Sequence, residues 1–110
     1  MRYIIEPYGK EFTIAVYAPA ETEGGHIAVT VQHPLAADVT VGMLNASFAA
    51  GKAGRSLDAD VVADAMAYLL APWGNAVSDR GLRAEITAAH AAGLATRDAT
   101  TTKNPEDEVA

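Results

Sequence analysis

The spacing of hydrophobic positions changes once along this chain, about a third of the way in. Up to Gln32, apolar and polar residues alternate. Tyr3 to Glu6 is a short apolar run, and Pro7-Tyr8-Gly9-Lys10 is a turn. In Phe12 to Ala18 the alternation places Phe12, Ile14 and Val16 on one face and Thr13, Ala15 and Tyr17 on the other. Residues 19–25 read as a polar loop, after which Ile27 to Gln32 alternates again until His33-Pro34 halts it. Period two bounded by turn residues predicts strands, and three in succession predict an antiparallel meander with one buried face.

From there the period lengthens to that of helices. Thr40 is the expected cap of a first helix over Val41 to Ala50, with Val41, Leu44 and Phe48 in one stripe and Gly51 as its stop. Asp58 is the expected cap of a second helix, which buries Val62, Met66 and Leu69 and is ended by Pro72. A third helix is expected from Ser78 or Asp79, with Leu82, Ile86 and Ala89 inward and Gly93 as a left-handed terminator. From Thr96 on, nothing apolar is left to bury, which predicts a mobile acidic tail. The expected fold is α+β: a three-stranded antiparallel meander, then three helices packed on one face. One domain over 1–95 and a flexible tail over 96–110 complete the division.

The composition supports a packed body. Half of the 110 residues are hydrophobic, and a chain of this length buries roughly two-thirds of its unfolded surface. Cysteine is absent, so disulfides, thiolate metal sites and thiol nucleophiles are excluded. Fourteen acidic residues against eight basic ones leave a net charge of −6, which opposes binding to nucleic acid and favours a protein partner with a basic surface. No apolar run reaches the length of a signal or membrane segment, so the expected location is the cytoplasm, with no membrane partner.

Candidate chemistry is sparse. The loop Gly51-Lys52-Ala53-Gly54-Arg55 resembles a phosphate loop only in composition. Ala46 stands where the first Gly of that motif belongs, and Ala53 where a Ser or Thr must follow the Lys. His26 and His33, seven apart, fall on opposite faces of an extended strand, and His90 sits beside the third apolar stripe as a helix-end cation. Asp60, Asp64 and Tyr68 form a row on the second helix; alone it has too few ligands for a metal and reads as a solvated face. No serine lies in a nucleophile-elbow context. The sequence therefore implies no catalytic residue, no metal and no cofactor.

What remains is a surface for another protein, with Tyr17, Thr13, Trp73, Asp60, Asp64 and Tyr68 as its candidate contacts, since Tyr and Trp dominate binding hot spots. By analogy of size and charge, the expectation is a small acidic inhibitor or regulatory protein. Phage-encoded or mobile-element inhibitors, antitoxins and immunity proteins share this profile. Two alternatives stand beside it. One is a homo-oligomeric assembly protein, a homodimer in the simplest case; the other is a small enzyme using Asp60, Asp64 or His90 as acid or base.

Overall fold

The computed structural model describes residues 3–7, 13–20, 22, 24–73 and 81–109, with 7 and 99–109 as backbone alone. The expected turn at 8–10, Phe12 and the expected helix start at 78–79 lie outside the described residues. Strands β1 (Ile4–Pro7), β2 (Ile14–Ala18) and β3 (His26–Val31) form an antiparallel sheet in the order β1-β2-β3, and helices α1 (Pro34–Lys52), α2 (Ala59–Leu70) and α3 (Leu82–Val109) follow. This is the α+β meander-then-helices arrangement that the change of period predicts.

Register settles which face is inside. Ile5 pairs with Val16 and Val16 with Val29, and on that side Tyr3, Val16, Val29 and Val31 join Leu44, Met66, Leu70 and Ile86 in one buried cluster. Ile4 and Tyr17, paired with each other, share the opposite face with Glu6. The β2–β3 register slips after Val16: Val16 opposes Val29 but Tyr17 opposes Ile27, leaving Ala28 as the extra residue of a bulge. An extra residue reverses the parity of the strand, so His26, opposite inward-facing Ala18, turns toward the helices.

The helices depart from expectation at their ends. α1 begins six residues before Thr40 is reached, with His33 as cap: its Nδ1 accepts the Leu35 N–H at 3.0 Å, and Pro34 takes the first turn, where it has no amide hydrogen to satisfy. His33-Pro34 thus ends the strand and starts the helix together. Thr40 is instead buried within α1, its hydroxyl donating to the Ala36 carbonyl at 2.8 Å. The left-handed residue that follows α1 is Gly54, at φ +74°; Gly51 is helical.

Asp58 caps α2 as expected, its Oδ1 accepting from the N–H groups of Asp60 and Val61. Asp58→Ala should cost about 1 kcal/mol, read as a lower urea midpoint at unchanged slope. The buried stripe of α2 is Val62, Met66 and Leu70 rather than Val62, Met66 and Leu69: a 3.6-residue period carries the line to 70, and Leu69 is exposed. Pro72 lies in the 3-10 turn Ala71–Trp73 that closes the helix.

α3 does bury Ile86 and Ala89, but it does not stop at Gly93. It runs on to Val109, so the backbone past Thr96 continues α3. Thr96 is half-buried and its hydroxyl donates to the Ala92 carbonyl. The reason lies at the crossing of α1 and α3, where Gly93 meets Gly51 with the two Cα atoms in close approach. Both glycines are used for closeness, not for a left-handed turn. Among the described residues no helix is long and apolar enough to cross a membrane.

Candidate functional site

The three imidazoles are engaged in three separate places. His26, turned inward by the bulge, meets both carboxylate oxygens of Glu85 on α3, its Nε2 lying 3.2 and 3.0 Å from them. Glu85 is only 1% exposed. His90 donates from Nε2 to the Arg55 carbonyl at 2.8 Å, latching the α1–α2 connection onto α3. His33 caps α1 and stacks on Trp73 with ring centroids 5.8 Å apart. Among the described residues no three His, Asp or Glu side chains gather into a metal-binding cluster.

The expected contact residues separate into distinct regions. Thr13 and Tyr17 are half-buried at β2, where Tyr17 lies on the sheet face turned away from the helices. Trp73 packs against the core cluster and the His33 ring, closing the seam between the start of α1 and the end of α2. Asp60 is turned toward α3, where it forms an exposed salt bridge with Arg83. Only Asp64 and Tyr68 remain together on open surface.

Their neighbours make that surface more than a polar face. Tyr68 is 82% exposed, and one and two turns back stand exposed Asp64 and Val61, the latter 62% open. Exposed Ala65 extends the same line, and exposed Leu69 flanks it. Positions 61, 65 and 68 share one side of α2, away from Val62, Met66 and Leu70. α2 is therefore apolar on both sides, one packed on the core and the other facing water, with a carboxylate in the middle of the outer strip. The charged residues at 60 and 64 suggest a solvated face in the sequence; the signal for the strip is Val61, seven residues before Tyr68.

Glu85 was equally hidden by its type. It falls three residues after Leu82 and beside Ile86, on the apolar stripe, and that position indicates burial. A concave feature lies at the sheet edge. A groove of about 590 Å³ runs between β1 and α1, lined by Tyr3, Ile4, Ile5, Glu6, Val41 and Asn45. Here the Tyr3 N–H donates to Asn45 Oδ1 at 2.8 Å.

No protein-family model matches the chain, and neither a curated protein nor a solved structure does.

Proposed function

We propose that this chain is a noncatalytic protein-binding module that docks the outer side of α2 onto a basic partner surface. The observation that carries the reading is the exposed pair Val61 and Tyr68 flanking Asp64, on a helix whose other side is already packed. Water-facing Val and Tyr at helical spacing supply the apolar anchor of an interface, and aromatic anchors of this kind contribute most of the energy of binding. Asp64 within the strip, and the −6 net charge behind it, select a partner presenting Lys or Arg around an apolar pocket. A small acidic inhibitor or regulatory protein of the cytoplasm, such as phage or mobile-element inhibitors, antitoxins and immunity proteins, acts in this way by occupying a basic site.

The test places a photo-crosslinking amino acid at position 68 and, as a control, at exposed position 91 of α3, in cells of the source organism. One dominant basic partner joined from position 68 and not from 91 is the expected result. Tyr68→Ala should then weaken that complex at least about 30-fold, the loss of a hot-spot side chain worth about 2 kcal/mol, while leaving the thermal midpoint unchanged. Equal labelling from both positions would remove the proposal.

A further inference from the structure

We infer that the element docking on α2 is an amphipathic helix of the partner, lying antiparallel to α2 with a Lys or Arg near its C-terminal end against Asp64. This deepens the reading of α2 as a binding surface and rests on it. The exposed apolar positions Val61, Ala65 and Tyr68 are separated by four and then three residues. That is the interval of a seam between two helices, because side chains recurring every 3.5 residues on average stay on the line of contact. Val61 and Tyr68 stand two turns apart, about 10 Å along the axis, a length that two turns of a second helix match. Between them Ala65 is small enough to let another helical backbone come close. Tyr68 then enters the hole formed by four side chains of that helix, which is the apolar pocket the outer side of α2 calls for.

Charge sets the direction. Asp58, Asp60 and Asp64 cap or occupy the first half of α2, and no Lys or Arg stands between Ala59 and Leu70. Asp58 is used as the cap and Asp60 is paired with Arg83, whereas Asp64 makes no ion pair among the described residues. Asp64 precedes Ala65 and so flanks the seam, the position from which charges reach across to a neighbouring helix. On the other flank is Leu69, exposed and uncharged. The partner helix is therefore basic along one flank and apolar along the other.

The dipole of a helix favours cations in its last turn. Bringing that turn of the partner beside Asp64, in the N-terminal half of α2, runs the two helices in opposite directions. Their dipoles then also oppose, which adds to the preference.

Selection from a random phage-displayed library of peptides of about 16 residues, long enough for four helical turns, tests this on the immobilised whole chain. Peptides that also bind Tyr68→Ala are discarded, which keeps those that use the outer side of α2. The survivors should share apolar residues at alternating intervals of three and four, with Lys or Arg on one flank in the C-terminal half. A synthetic survivor should lose about ten-fold in affinity for Asp64→Lys. Replacing its cation by Glu should return its affinity for the Asp64→Lys chain to near the original value, a rescue that a misfolded variant could not show. Survivors without the helical interval, cations confined to the N-terminal half, no survivors at all, or no rescue would each overturn the inference. Those results leave α2 as the docking surface if crosslinking from position 68 still joins one partner, so the failure of this inference and the failure of the reading beneath it are told apart.

Discussion

Gly51→Ala and Gly93→Ala should each lower stability by about 3 kcal/mol, although alanine is the better helix former by about 1 kcal/mol. A methyl group on Gly51 would overlap the His90 carbonyl oxygen and lie 2.9 Å from the Leu94 nitrogen and 3.1 Å from Gly93 Cα. On Gly93 it would overlap the Phe48 carbonyl oxygen and lie 2.7 Å from the Lys52 nitrogen and 3.0 Å from Gly51 Cα. The obstacles are backbone, which no side-chain rotation can clear, so the helices must separate along the most extensive contact among the described elements. Gly42 supplies the control on the same helix. An added methyl there meets nothing within 4 Å, so Gly42→Ala should raise stability by about 0.5–1 kcal/mol. Thermal melts read both directions: a domain of this size loses roughly 4–8 °C per kcal/mol, so the two disruptive variants should fall by more than about 10 °C. Parallel behaviour of all three variants would mean that the helices do not cross at this point.

Removing Glu85 is the second large perturbation expected. Its carboxylate sits 1% exposed between β3 and α3, with His26 Nε2 against both oxygens. Breaking a buried pair from one side leaves the other polar group desolvated, a cost of about 3 kcal/mol. Glu85→Ala and His26→Ala should each approach that value in urea unfolding. His26→Ala acts by leaving a carboxylate in the interior, and Glu85→Ala by leaving a partly buried imidazole and a cavity. The double variant should lose about 1–2 kcal/mol less than the sum of the singles, because each single loss already includes their contact. Strictly additive losses would show that the two side chains do not interact in solution.

The strands, the three helices and, apart from Leu69, their inner stripes were legible because period and burial coincide. Leu44, Met66, Ile86 and Ala89 are buried where the spacing places them. The misjudged places share one cause: residues with two physical uses. Gly51 and Gly93 were read as terminators, since a glycine near the end of a helical pattern usually supplies a left-handed turn; close approach of two backbones is its other use, and only the fold brings them together. Pro34 was read as the end of a strand, although proline is equally suited to the first turn of a helix. The inward turn of His26 had no sequence signal, because the bulge residue that sets it, Ala28, carries no signature of its own. The candidate surface was half legible. Asp64 and Tyr68 stood out as a row, but Val61 and Leu69 join it only once the fold shows both of them exposed.

The single tryptophan gives the seam at α1 and α2 a built-in optical reporter. Trp73 rests on the imidazole of the residue that starts one helix, and it ends the turn that closes the next. Its emission therefore responds to the opening of that junction, whereas circular dichroism sums over every helix. If the two signals trace one curve in urea, the junction comes apart with the interior; an earlier change in fluorescence would identify the end of α2 as a separate unit that loosens first.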